Sequence, residues 1–158
     1  VEFEVGSMFD LGSHLVDDVV RLLGKPKAVT PILRRHGKFE DHLNDNNAVV
    51  LEYGNALAVL TNTALQEVKL AQRSFEVLGA NGTAVLCPLE PPGLEIELVK
   101  AAGPYPRGVQ AVSLPAYARY EADFAVLARA VRGEEPLLVP LEVELEVQET
   151  LLRVCEML

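Results

Sequence analysis

The chain has 158 residues, of which 49% are hydrophobic, and it carries no polar low-complexity tract, so it is expected to fold as one globular domain. Its 14 basic and 23 acidic residues leave a net charge of -9, which disfavours nucleic acid and anionic membrane surfaces as partners. An apolar run of about eighteen residues and a basic-then-apolar leader are both missing, so neither a membrane span nor a secretory signal is predicted.

The opening segment VEFEV has no initiator methionine and reads as a short strand, so we expect the chain to be a fragment of a longer protein. Cys87 and Cys155 lack the spacing of a metal or redox motif and are expected to be reduced thiols, which favours the cytoplasm.

Residues 6–24, GSMFDLGSHLVDDVVRLLG, are predicted to form one amphipathic helix, because apolar side chains recur every three or four positions. Ser7 is placed to cap this helix, with Asp10 as the acid of a capping box, and Gly24 followed by Pro26 should end it. The predicted buried stripe consists of Met8, Leu11, Leu15, Val19 and Leu22.

The middle of the chain has the pattern of short antiparallel strands. NAVVLEY and ALAVLTNT flank a Gly54-Asn55 turn, and FEVLG and GTAVL flank a second turn between Gly79 and Gly82, so two hairpins are predicted. LEIELVK alternates as a half-buried strand does, and VQAVSL is a shorter candidate. The basic cluster RRHGK at residues 34–38 is interpreted as a solvated loop rather than a phosphate site.

Two helices are predicted near the C-terminus. The first should present an apolar face of Tyr117, Tyr120, Phe124, Leu127 and Val131 and end at Gly133. The second should start near Pro140, although LEVELEV at residues 141–147 also alternates as a strand would. The predicted fold class is therefore α+β, with an open, mainly antiparallel β-sheet and helices packed on one face.

The polar side of the first helix carries the best candidates for chemistry. Asp10 and His14 are four residues apart, so their side chains project side by side, and a carboxylate can prepare an imidazole to accept a proton from an alcohol. A solvated face with Asp10 serving only as a cap is the competing interpretation. A metal site of Asp10, His14 and Asp18 is a weaker one, because further His or Cys ligands are not nearby in the sequence.

Four blocks, in order, resemble the C-terminal domain of the Gfo/Idh/MocA oxidoreductases. These are the Asp-x-x-x-His helix at residues 6–29, NDNNAVVLEYGNALAVLTNT, FEVLGANGTAVL and YEADFAVLARAVRGEEPLLVP. The resemblance covers nearly all of residues 1–158, which are treated as a single substrate-binding and oligomerisation domain.

The resemblance implies that an absent N-terminal Rossmann half binds NAD or NADP and that this chain supplies the substrate wall, so that the fragment alone is inactive. It assigns proton acceptance from the substrate hydroxyl to His14 and substrate holding or His14 orientation to Asp10. The implied substrate is a sugar, polyol or related hydroxy compound, and the exposed sheet face is expected to form a homo-oligomer. Neither the exact substrate nor the choice between NAD and NADP can be predicted from these residues.

Two other functions remain open on the sequence alone. The same fold could serve as a non-catalytic sensor or scaffold. It could also be a free-standing module that binds a partner through its sheet.

Overall fold

The computed structural model describes residues 6–66, 73–115 and 120–158, and these belong to two compact units. The first unit is formed by the chain up to Gln66 together with Tyr120–Leu158, and the second by Glu67–Arg119. The predicted opening strand at residues 1–5 lies outside the described residues.

In its described residues, the first unit contains a three-stranded antiparallel sheet and four helices. The elements are α1 (Gly6–Asp10), α2 (Gly12–Leu23), β1 (Ala28–Arg34), β2 (Asn46–Glu52), β3 (Leu57–Thr63), α3 (Glu121–Val131) and α4 (Leu141–Val154). The sheet has the order β1-β2-β3, and Asn47 of the central strand pairs with Leu33 on one side and Asn62 on the other.

The core of this unit lies between one face of the sheet and the helices α1, α2 and α4. Alternate residues of β2, namely Asn47, Val49 and Leu51, are buried on this face. The helices contribute the fully buried side chains of Met8, Val16, Val20, Thr150 and Val154. The opposite face of the sheet leaves Ile32, Leu57 and Val59 exposed within the unit. The predicted arrangement of helices on one face of a sheet is therefore confirmed in this unit.

The buried face of the first helix differs from the predicted stripe. Met8 and Val19 are buried as expected, but Leu11 and Leu22 are 43% and 63% exposed, and Gly12, Val16 and Val20 take their place in the core. The reason is close packing, since a β-carbon on Gly12 would lie 2.2 Å from the sulfur of Met8. The side of the helix with small residues therefore faces the core, and the long leucines stay at its edge.

The predicted capping box was wrong. Ser7 lies inside α1, and its hydroxyl donates to the backbone oxygen of Asn44 at 3.3 Å instead of capping a helix. A turn at Leu11 separates α1 from α2, and Leu11, the residue before α2, makes no side-chain cap. The stop at Gly24 is confirmed, because Gly24 has a φ of 76° and its amide donates to the oxygen of Val20 at 2.8 Å.

The described residues of the second unit form a four-stranded antiparallel meander. Its strands, in spatial order, are β4 (Phe75–Gly79), β5 (Gly82–Leu86), β6 (Leu94–Leu98) and β7 (Gly108–Val112). Both predicted strands after the hairpin are confirmed, and so is the turn between β4 and β5. In that turn the side chain of Asn81 accepts a hydrogen bond from the amide of Lys100 at 3.1 Å and donates one to its oxygen at 3.0 Å.

Both C-terminal helices are confirmed, with different outcomes for their apolar faces. In α4, residues 141–147 are helical, as interpreted, and Leu151 and Val154 are buried, whereas Leu158 beyond the helix is 75% exposed. In α3, no residue is buried, and Phe124 and Val131 are 69% and 79% exposed within the unit. Tyr117, predicted on the same face, lies outside the described residues.

The α+β fold class with mainly antiparallel strands is confirmed, although the described strands form two sheets rather than one. None of the helices in the described ranges is long and apolar enough to cross a membrane.

Candidate functional site

Asp10 and His14, the predicted site residues, lie on either side of the turn between α1 and α2. Leu11 keeps a helical backbone, with φ of -85° and ψ of -33°, and its amide donates to the oxygen of Ser7 at 2.9 Å. The helical path therefore continues through the turn, and the two side chains remain one turn apart. Both residues are exposed, on the side of the helix that does not enter the core.

The structure brings Asp10 and His14 to the same edge without joining them. In the part of the chain that the structure describes, neither a hydrogen bond nor an ion pair connects the two side chains. The hydroxyl of Ser13 donates to the backbone oxygen of Asp10 at 2.6 Å, which ties the end of α1 to the start of α2. The Asp10 carboxylate and the His14 ring are thus both available to a ligand.

The rest of the polar face is engaged in surface interactions. Asp17 accepts a hydrogen bond from Arg21 at 2.8 Å, and Arg21 also lies 3.7 Å from Glu144 of α4. Partial loss of hydration, followed by repulsion from Asp17, raises the pKa of Asp18, while Arg21 and His14 act in the opposite direction. Asp17 and Arg21 therefore connect α2 with α4, and the competing interpretation of a solvated face fits them.

A groove of about 340 Å³ opens beside Asp10, between α1 and the loop that joins β1 to β2. Its apolar walls are Leu11, Phe39 and Leu43. Asp10 and Asp41 are exposed residues of its lining, and one oxygen of Asp41 accepts the amide of Leu43 at 2.9 Å. Apolar walls with a few oxygen acceptors suit a hydroxyl-bearing molecule that also has a hydrocarbon face. His14 is not among the residues that line this groove.

Four consecutive residues, Asn44 to Asn47, hold one side of this groove together. The oxygen of Asn44 accepts the amide of Ser7 at 2.9 Å, and the side-chain amide of Asn46 lies 3.0 Å from Nδ1 of His36. Asn47 donates from Nδ2 to the Ser7 hydroxyl at 3.1 Å. The NDNN segment thereby joins the first turn of α1 to the loop that follows β1.

Asp45, the second residue of this segment, is 4% exposed and forms the anchor of the loop. Its two carboxylate oxygens accept the backbone amides of His36 and Gly37, each at 2.9 Å. The bond from the His36 amide, supported by that from Gly37, lowers the pKa of Asp45. The basic cluster at residues 34–38 is mostly exposed, as predicted for a loop, and Asp45 fixes its backbone.

The role of NDNN was not predicted, because the segment was read only as part of the block NDNNAVVLEYGNALAVLTNT. One signal was available, because a run of four polar residues that leads into a buried strand requires partners for its side chains. The partners themselves, Ser7 and His36, lie 40 and 10 residues away in sequence from the side chains they contact. That separation explains why local patterns did not reveal them.

The described residues contain no cluster of three or more His, Cys, Asp or Glu side chains arranged to hold a metal ion. For a dinucleotide, the relevant test is a glycine-rich turn that opens a helix. The GANGT turn connects β4 to β5 instead, so it does not fit a phosphate-binding loop.

Comparison with known protein families shows which family the chain belongs to. The GFO/IDH/MocA C-terminal domain matches residues 2–85, which is more than half of the sequence. This protein therefore belongs to the Gfo/Idh/MocA oxidoreductase family, as the sequence resemblance predicted. A search of curated proteins finds no significant sequence match.

Solved structures with the same fold include three oxidoreductases. UDP-N-acetylglucosamine 3-dehydrogenase GnnA from Acidithiobacillus ferrooxidans has a TM-score of 0.77 and 18% identity, with 99% of this chain and 48% of that chain covered. An oxidoreductase from Agrobacterium radiobacter, in complex with NAD+, L-tartaric acid and magnesium, has a TM-score of 0.75 and 15% identity, covering 98% and 47%. An oxidoreductase from Bacillus cereus has a TM-score of 0.72 and 19% identity, covering 98% and 58%. The chain thus spans about half the length of these structures.

Proposed function

We propose that this chain is the substrate-binding and oligomerisation domain of an NAD(P)-dependent dehydrogenase that oxidises a sugar, a polyol or a related hydroxy compound. Membership of an oxidoreductase family supports the reaction class. The observation that carries the assignment to residues is the placement of Asp10 and His14 together on an exposed helix edge, with Asp10 on the lining of a groove. The whole domain, residues 1–158, is assigned to this role.

In this proposal His14 is the base and Asp10 holds the substrate. The cofactor, bound mainly by the N-terminal half, supplies the acceptor for the hydride that leaves the carbinol carbon. A ring nitrogen of His14 takes the proton of the reacting hydroxyl, so that the alcohol becomes a carbonyl and charge is balanced. Asp10 accepts a hydrogen bond from a neighbouring hydroxyl and keeps the reacting carbon in place.

The lining of the groove supports a neutral hydroxyl-bearing substrate. Carboxylate oxygens of Asp10 and Asp41 accept hydrogen bonds from hydroxyl groups, and they repel phosphate or carboxylate groups. The ring of Phe39 offers an apolar surface of the kind against which the C–H face of a sugar packs.

Assembly through the sheet is the second part of the proposal. Ile32, Leu57 and Val59 lie on the face of the sheet opposite the helices and are 46%, 68% and 66% exposed. Exposed apolar residues on one face favour contact with a second subunit. Sedimentation velocity of the full-length protein tests this, because Leu57→Lys should reduce the oligomer to smaller species. An unchanged sedimentation coefficient would remove the sheet face from the interface.

The proposal places the enzyme in the cytoplasm, a reducing compartment that suits a chain in which Cys87 and Cys155 are thiols.

The decisive experiment uses the full-length protein with NAD or NADP and a panel of neutral sugars and polyols. Replacing His14 by Ala should lower kcat by roughly 10²- to 10⁴-fold, the usual loss when a general base is removed. His42→Ala is the matched control, because His42 is also exposed but lies in the loop between β1 and β2 rather than on the helix edge that carries Asp10. If the His14→Ala enzyme turns over at the wild-type rate, the catalytic assignment is wrong. If an otherwise folded full-length protein oxidises no compound in the panel, the sensor or scaffold alternative gains support.

A further inference from the structure

Asn47 occupies a position of β2 where the strand pattern calls for an apolar side chain. It is 4% exposed, and the next two residues on the same face of the strand, Val49 and Leu51, are fully buried. Burying an amide without hydrogen bonds would be costly, so the hydrogen-bond partners of Asn47 indicate the structural role of its side chain.

The partners of Asn47 fix the orientation of its side chain. The backbone amide of Arg34 can only donate, so the amide oxygen of Asn47 must face it, at 3.3 Å. Nδ2 then points towards α1 and donates to the hydroxyl of Ser7 at 3.1 Å. That hydroxyl in turn donates to the backbone oxygen of Asn44 at 3.3 Å. Asn47 and Ser7 thus each use both a donor and an acceptor, and the hydrogen bonds run from β1 through Asn47 to Ser7 of α1 and on to the loop before β2.

The backbone of α1 links these hydrogen bonds of Ser7 to the position of Asp10. The amide of Ser7 donates to the oxygen of Asn44 at 2.9 Å, and the oxygen of Ser7 accepts the amide of Leu11 at 2.9 Å. Asp10 lies between Ser7 and Leu11, on the lining of the groove that Ser7 and Asn44 also line. Because α1 has only five residues, its own hydrogen bonds hold it weakly, and its direction depends on such tertiary contacts.

We propose that Asn47 and Ser7 form a positioning pair that sets the direction of α1, and with it the place of Asp10 at the substrate groove. The inference rests on the proposed dehydrogenase function for its kinetic consequence, but its structural consequence can be measured separately. Neither residue is assigned a chemical step. Their effect on the reaction passes through the placement of Asp10, and small errors of placement reduce the rate.

The test compares Asn47→Leu, Ser7→Ala and Ser7→Thr in the full-length protein. Leu has the branched shape of Asn with a larger side chain, and it cannot hydrogen-bond to Arg34 or Ser7. Ala removes the Ser7 hydroxyl, and Thr keeps a hydroxyl at that position. Hydrogen exchange measured by mass spectrometry should show faster exchange in residues 6–14 for the Leu and Ala variants. Exchange in residues 75–86 should not change, and the Thr variant should recover most of the protection. Leu51→Ala is the matched control, since Leu51 is buried on the same face of β2, further along the strand.

The kinetic arm measures kcat and KM for the same variants. We expect kcat to fall about tenfold in both Asn47→Leu and Ser7→Ala, and the double variant to be no worse than the poorer single one, because both changes break one connection. Leu51→Ala should keep kcat at temperatures where it is folded. If Leu51→Ala lowers kcat as much as the other two, the pair has only a structural role and the proposal is overturned.

Failure of the dehydrogenase function would be visible separately, as wild-type turnover in His14→Ala or no turnover in any variant. In that case the exchange data still decide the matter. Faster exchange confined to residues 6–14 would support the positioning of α1 by Asn47 and Ser7, and unchanged exchange there would overturn it.

Discussion

Gly6 lies against the backbone of Asn44 so closely that a β-carbon at position 6 would approach the Asn44 oxygen to 2.2 Å. The φ of Gly6 is also positive, at 63°, which a residue with a side chain adopts only at a cost. This contact is next to the hydrogen bond from Ser7 to Asn44, so the start of α1 can rest on the loop only if position 6 has no side chain.

Gly6→Ala should therefore destabilise the protein by more than about 3 kcal/mol, because backbone atoms must move as well as φ. Gly24→Ala is the matched control, since Gly24 has a φ of 76° but a β-carbon at that position would meet no atom within 4 Å. That change should cost about 1–3 kcal/mol, which is the effect of backbone strain alone. Urea denaturation of both variants measures the difference, and equal losses would show that the contact with Asn44 has no energetic weight.

The two sides of α2 should respond differently to truncation. Val16 is fully buried, so Val16→Ala should lower the free energy of unfolding by about 1–3 kcal/mol through lost burial and a residual cavity. Leu22 is 63% exposed, so Leu22→Ala should change it by less than about 0.5 kcal/mol. Thermal or urea unfolding of the two variants measures the difference. If the stripe predicted from the sequence were the buried one, Leu22→Ala would be the more damaging change.

The buried carboxylate of Asp45 should make stability depend on acid. Its pKa in the folded protein is below the ordinary value of 3.8, because the amides of His36 and Gly37 hydrogen-bond to the charged form. The unfolded chain therefore binds this proton more readily than the folded one. The stabilisation by Asp45 is present in full above pH 3.8, the ordinary pKa, and it is lost as the pH falls through the lower pKa of the folded protein.

Asp45→Asn should accordingly be less stable than the wild type at neutral pH, and the gap should narrow once the pH drops below 3.8. Urea denaturation of both proteins over a series of acidic buffers measures this gap. A gap that stays constant down to the acid unfolding of the wild type would contradict the role given to the carboxylate.

The two cysteines should differ in reactivity. Cys155 is 7% exposed, and burial raises the pKa of its thiol to about 11, so the reactive thiolate is scarce at neutral pH. Cys87 is exposed. Alkylation with iodoacetamide followed by mass spectrometry should label Cys87 in the native protein and Cys155 only after denaturant is added. Equal labelling rates would mean that the C-terminal end of α4 opens readily.

Periodicity and turn residues predicted most of the elements, because those signals are local. The helix over residues 141–154 illustrates their limit, since LEVELEV fits both periods and only its continuation into LLRV decided for a helix. The buried face of α2 was mispredicted. Whether the side with Leu11 or the side with Gly12 faces the core depends on how closely Met8 and Gly12 pack, and the sequence pattern does not show this. The candidate pair Asp10 and His14 came from spacing and family resemblance, and its chemical role remains a prediction.

Long-range hydrogen bonds were beyond the reach of sequence patterns. The capping role of Ser7 was the natural local prediction, yet its hydroxyl donates to Asn44 and accepts from Asn47, which are 37 and 40 residues away. The local rule failed where the tertiary structure offered Ser7 a different partner.

Asn47 also affects how β2 can pair with its neighbours. The segment Ala48 to Leu51 is apolar on both faces of the strand, so its own pattern is a weak guide to the pairing with β1 and β3. A slip of one residue would turn Asn47 outwards, leave the Arg34 amide without its acceptor and bring Glu52 to the core face. The buried amide of Asn47 and the charge of Glu52 therefore both oppose a shifted frame, and they hold β2 in the observed alignment.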